Sequence, residues 1–203
     1  MNDGSTDKRY VKIKKNFPEI TYFKNEINGG RAFYWRTVNT ILNEIKKYTT
    51  YAVIQIDDDF ILCKGFIDKL MNKFFEIKRE NNSYMGIRYH IASFKKEDVS
   101  EDFFDESKTE HRFDGGSLFD IQFLRMFNYK INEINPKIFN QKFQHSHVWS
   151  SLNILLEKFG AKVYMVRESL AWHTGNEDSK MHPEIRKIKK IYTKRFVDDT
   201  DSI

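Results

Sequence analysis

Residues 51–60 read "YAVIQIDDDF", an apolar run that closes on three consecutive carboxylates, Asp57, Asp58 and Asp59. A short apolar run with few polar interruptions suits a strand covered on both faces of a sheet. Acidic residues are poor strand formers, so the three aspartates belong at the carboxyl end of that strand. Other apolar runs fit the same layered plan. "PEITYFKN" (18–25) alternates as a short strand, and residues 31–48 carry Ala32, Trp35, Val38, Ile41, Leu42 and Ile45 at helical spacing. "GFIDKLMNKFFEIK" (65–78) is an amphipathic helix, and "YMGIRYHIASF" (84–94) a further strand. A polar excursion follows over 95–112, then a helix from the glycine pair in "GGSLFDIQFLRMFN". "HVWSSLNILLEKFG" is a helix stopped by Gly160. "AKVYMV" is a strand, and a last helix starts near Pro183 and continues through "EIRKIKKIYTKRF". Alternating strands and helices predict an α/β fold with a largely parallel sheet. One domain is expected over 1–197, with a frayed tail over 198–203.

Composition excludes some classes. At 203 residues with 40% hydrophobic and 15% aromatic content, the chain can bury a core and is not generally disordered. The single cysteine, Cys63, cannot form an internal disulfide, which fits a reducing, cytoplasmic setting; it reads as core filler rather than nucleophile. No run of about 18 apolar residues predicts a membrane span, and the polar N-terminus does not read as a signal peptide. The net charge of +5 is scattered, with small clusters at Lys12–Lys15 and Arg186–Lys190. Such clusters suit solvated helix faces, phosphate-bearing ligands or peripheral contact with an anionic membrane. They are too dispersed to track a nucleic-acid backbone.

In open α/β sheets, ligands bind outside the carboxyl ends of strands. Alternation along extended backbone lets Asp57 and Asp59 share a side while Asp58 turns elsewhere. Two converging carboxylates repel unless a cation or proton offsets them, and a hard divalent ion takes oxygen ligands. The alternative is an exposed acidic turn stabilised by the dipole of the following helix. "LAWHTGN" places His173 after a strand-like segment, as a further ligand for a transition ion or as a hydrogen-bonded structural histidine.

"NDGSTD" (2–7), "NGGRAFYWRTVN", "IQIDDDF", "DGGSLFD" and the terminal "AWHTG" together resemble a GT-A glycosyltransferase, most closely glycosyltransferase family 2. "GGSLFD" with the Trp-His pair is also similar to metal-dependent GT-A enzymes that glycosylate polypeptides. The resemblance implies a Rossmann-like sandwich and a nucleotide-diphosphate sugar donor of UDP, GDP or dTDP type. It implies a carbohydrate or glycoconjugate acceptor, lipid-linked and protein-linked ones included, and Mn²⁺ or Mg²⁺ as cofactor. By the same likeness Asp3 faces the base or ribose, and Arg31 or Arg36 lies near the nucleotide. Asp57 and Asp59 surround the metal and the diphosphate, His173 completes the metal shell, and Asp58 reaches the ribose or donor sugar. Gly115 and Gly116 line the acceptor and sugar pocket, or form an ordinary tight turn.

Two departures from the family stand out. Its opening strands have no counterpart ahead of "NDGSTD", so the chain is expected to be a fragment or a shortened form, or to be completed by a homo-oligomer or a partner segment. Where the family supplies an acidic base, this chain has "QHSHVWSS". His147 then stands as base or as helix cap, Asp114 is the other candidate base, and a retaining reaction needs no such base. Two competing readings are a non-catalytic glycan- or nucleotide-binding relative, and a metal-dependent nuclease or nucleotidyltransferase.

Overall fold

A computed structural model of the chain describes residues 10, 12–27, 30–57, 59–80, 85–90, 92–93, 116–132, 147–166, 168–174 and 192–193. In chain order the elements are α1 (Ile13–Asn16), α2 (Gly30–Ile45), β1 (Ala52–Ile54), β2 (Phe60–Leu62), α3 (Phe66–Glu80), β3 (Met85–Arg88), β4 (Ala92–Ser93), β5 (Ser117–Asp120), α4 (Ile121–Met126), α5 (His147–Phe159), β6 (Lys162–Met165), β7 (Ala171–His173) and β8 (Tyr192–Thr193). The class is mixed α/β. The chain falls into two compact units, one drawn from Met1–Thr49 and Phe127–Leu152, the other from Thr50–Met126 and Asn153–Ile203.

The second unit holds a four-stranded sheet in the order β1-β5-β3-β6. β3 and β6 pair in parallel, whereas β5 is antiparallel to both of its neighbours. The sheet is therefore mixed rather than largely parallel: three strands run one way and β5 is reversed. The difference traces to "SLFD", expected to open a helix. Those four residues form β5, inside the sheet with every side chain buried, and the helix α4 begins only at Ile121. Two polar residues in so short a strand mask it in the sequence. One of them, Asp120, is satisfied on both oxygens: Gln122 N–H donates to Oδ1 at 2.8 Å as the helix cap, and Lys78 Nζ donates to Oδ2 at 2.9 Å. The run at 51–56 yields the shorter, half-buried β1 at the sheet end, with Tyr51 exposed beside it. β5, not β1, is the strand covered on both faces.

Helix α3 supplies much of the core. Phe66, Leu70, Phe74 and Ile77 recur at helical spacing and are buried, with Asp68 in the first turn and Lys78 and Arg79 in the last. They pack with Cys63, Ile87, Tyr89, Leu118, Val166, Leu170 and Ala171. α5 closes as the glycine stop implied: Gly160 adopts φ +60°, its N–H reaches Glu157 O, and Ala161 N–H reaches Leu156 O at 2.9 Å. Two antiparallel ribbons, β2–β7 and β4–β8, complete the described strands. β8 lies where a helix was expected over 184–196; the rest of that segment, the 95–112 excursion and the tail lie outside the described residues.

In the first unit the expected strand over 18–25 is absent, apart from an isolated bridge residue at Lys24. Side-chain bonding holds this stretch instead, with Asn25 Nδ2 donating to the buried Thr37 Oγ1 of α2 at 3.0 Å. Asn39 of α2 clamps the buried Ile131 through both its amide groups. Among the described residues no helix is long and apolar enough to cross a membrane.

Candidate functional site

The acidic run sits where β1 gives way to β2. Gln55 N–H still bonds to Ser117 O of the sheet at 2.9 Å, and Phe60 N–H then reaches back to Asp57 O, closing a turn. β2 pairs antiparallel with β7 in a register that sets Phe60 opposite His173. One step further, Thr174 donates to Asp59 O from both N–H and Oγ1, at 2.8 and 2.9 Å. This ladder brings Asp59 against the end of β7, and His173 Nε2 lies 3.1 Å from Asp59 Oδ2. Asp57 Oδ1 accepts a bond from Gln55 Nε2 at 3.0 Å.

An aromatic wall backs the pair. Phe60 makes an edge contact with the His173 ring at 5.4 Å and a tilted contact with His90 at 5.0 Å. His90 and His173 stack at 5.8 Å with 28° between their planes. Gly116 turns in the left-handed region at φ +80°, and a Cβ there would stand 3.0 Å from His90 Cβ and 3.2 Å from Phe60 Cζ. The role of Gly116 here is to admit these rings. Tyr89 Oη donates a short bond to Gln55 O, and its phenol is pushed up, first by burial and then by the Asp57 charge.

Asp59, Asp57, Gly116 and His173 thus belong to the second unit, with Asp59 and His173 in direct contact. Asp58, Gly115, Asp114 and Asp3 lie outside the described residues. Arg36 is on α2 in the first unit, its guanidinium 4.5 Å from the Phe33 ring centroid and 5.3 Å from that of Trp35. Arg31 is on the same helix and His147 is the first residue of α5; their side chains are not among those described. Phe60, Tyr89 and His90 were missed in the sequence. The available signal was a histidine, His90, set inside the strand-like run "YMGIRYHIASF".

No family model, curated protein or solved structure matches this chain.

A carboxylate oxygen and an imidazole nitrogen are donors that a divalent transition ion accepts. Asp59 and His173 offer one of each at partly exposed positions, so their chemistry fits such an ion. Among the described residues no group of three metal-ligating side chains is assembled. Asp57 is close enough for its charge to raise the pKa of His173.

The charges predict a pH response. Asp59 is held below the usual carboxylate range chiefly by its bond to His173, and His173 is raised chiefly by its bond to Asp59. The contribution of Asp59 fades as pH falls through its lowered value, and that of His173 fades as pH rises through its raised value. The pair is strongest between their ordinary values, about 4 and 6.5. His90 acts oppositely: burial, then the charges of His173 and Arg88, push it down to about 4. It stays neutral in the fold, so its contribution is full above about pH 6.5 and is lost as pH falls toward its folded value. The loss of unfolding free energy between about pH 7 and 5 should shrink by about 2 kcal/mol in His90→Phe, as urea titrations at the two pH values would report. An unchanged difference would rule out a neutral His90.

Proposed function

We propose that this chain is a divalent-metal-dependent glycosyltransferase of GT-A type, resembling family 2, that moves a sugar from a nucleotide-diphosphate donor to a hydroxyl of a carbohydrate or glycoconjugate acceptor. One observation carries the reading: Asp59, following the first sheet strand, and His173, at the end of a strand far along the chain, meet at 3.1 Å. Acids aimed by a strand end and joined by a late histidine are the combination that the motif order implied. Asp57 and Asp59 concentrate negative charge, His173 adds a nitrogen donor, and Phe60 and His90 wall the pair on one side. Mn²⁺ or Mg²⁺ at Asp59 and His173, with the Asp57 charge nearby, would supply Lewis-acid neutralisation of a leaving diphosphate.

Thermal unfolding in Mn²⁺ with UDP-, GDP- and dTDP-sugars tests this. Occupancy at about one hundred times Kd stabilises by about 2.7 kcal/mol, which raises Tm by about 5 to 10 °C in a chain of this size. One nucleotide class should produce the rise, and Asp57→Asn with Asp59→Asn should remove it. No rise with any donor, or a rise that survives both substitutions, would refute the reading. A second reading, a non-catalytic glycan- or nucleotide-binding relative, draws on the lack of a three-ligand group among the described residues. Donor binding without hydrolysis or transfer would select it.

A further inference from the structure

We infer that His90 is a positioning residue, whose buried imidazole packs with Phe60 against one side of the His173 ring and fixes the direction in which Nε2 faces Asp59. The cation-binding consequence rests on the reading of Asp59 and His173 proposed above; the ring packing itself does not.

His173 sits on a three-residue strand in a two-stranded ribbon. Such ribbons have little stability of their own, and the outward pair of this one, Ile61 and Trp172, is 56% and 45% exposed. The ribbon therefore gives the His173 side chain little support, and an imidazole ring free to rotate would spend only part of its time with Nε2 toward Asp59. The inward face is different. His90 is 4% exposed, and its backbone is anchored through the preceding residue. Tyr89 N–H bonds to Gly116 O at 3.0 Å, and Leu170 N–H bonds to Tyr89 O at 2.9 Å. The fixed His90 ring stacks on His173, Phe60 packs against both rings, and Gly116 leaves the space that the cluster occupies. Groups that orient a metal-ligating histidine typically alter metal affinity by about 10- to 100-fold when lost.

The test uses the full chain and two readouts. The first is the coupling between Asp59 and His173, from a double-mutant cycle of Asp59→Asn and His173→Ala on stability, repeated in His90→Phe, His90→Leu and His90→Ala backgrounds. The second is Mn²⁺ affinity by calorimetry with the metal alone. His90→Ala, and His90→Leu if the alanine variant does not fold, should reduce the coupling several-fold and weaken Mn²⁺ by about 10-fold or more. His90→Phe, which keeps a flat ring, should retain the coupling and hold Mn²⁺ within about threefold. Unchanged coupling in His90→Leu, or a phenylalanine variant as impaired as the leucine one, overturns the positioning role. If the native chain binds no Mn²⁺, or His173→Ala leaves its affinity unaltered, the metal reading fails instead, and the coupling cycle alone decides the role of His90.

Discussion

Asp120→Ala should lower the unfolding free energy by about 4 kcal/mol, the sum of a lost helix cap worth about 1 and an uncompensated lysine worth about 3. The side chain is nearly inaccessible, at 2%, and serves two elements at once. Oδ1 caps α4 through Gln122, and Oδ2 binds Lys78 from the last turn of α3. Removing the carboxylate leaves the first turn of α4 without its acceptor. It also strands an ammonium that is itself only 23% exposed. A buried pair broken on one side costs more than the pair contributes when intact, because the remaining charge stays poorly solvated. Asp120→Asn separates the two parts. It keeps an oxygen for Gln122 and removes the charge, so it should lose about 3 kcal/mol rather than 4. Urea denaturation of the three proteins provides the measurement. Losses below about 1 kcal/mol in both variants would mean that Lys78 relaxes freely to water.

Gly116→Ala should cost about 3 kcal/mol and disturb the site as well as the fold. The left-handed conformation at φ +80° penalises any side chain by about 1 to 2 kcal/mol. The new methyl would also meet His90 Cβ at 3.0 Å, Phe60 Cζ at 3.2 Å and Tyr89 Cε2 at 3.3 Å. The first of these atoms is one bond from the backbone and cannot swing aside, so relief requires moving strand or rings, at about 1 to 3 kcal/mol. Because Phe60 and His90 both touch His173, the same substitution should weaken the Asp59–His173 contact. Denaturation gives the stability loss, and the imidazole resonances of His173 report the contact. A variant as stable as the native chain, with those resonances unmoved, would show that the turn has room to spare.

Much of the architecture was legible where one physical signal dominated. α3 and α5 follow from apolar residues at helical spacing, and Gly160 marks the stop of α5 through its left-handed φ. The signal failed where polar residues belong inside. "SLFD" reads as the beginning of a helix because Ser117 and Asp120 interrupt it, yet both are fully enclosed and Asp120 is paired through Lys78. β2 was overlooked because "FIL" is only three residues, squeezed between an acidic turn and a helix. The stretch over 18–25 has strand-like alternation but is held by a side-chain bond from Asn25 to Thr37 rather than by a ladder.

Within the site, the aspartates and His173 stood out because each places a group able to hold a metal beside an apolar run. His90 did not, because a histidine inside a strand-like segment gives no hint that it will stack on another one far along the chain. Residue type nominated the groups; only the β2–β7 register showed which of them meet.

The ladder that joins Asp59 to Thr174 spans 115 positions of chain. On a ribosome the acidic turn emerges long before its partner strand is translated, and zippering of so distant a contact must wait for the intervening polypeptide. A chain interrupted before residue 173 cannot assemble the pair. Any capacity that depends on it is therefore withheld until residues 173 and 174 have been made and have paired with the acidic turn.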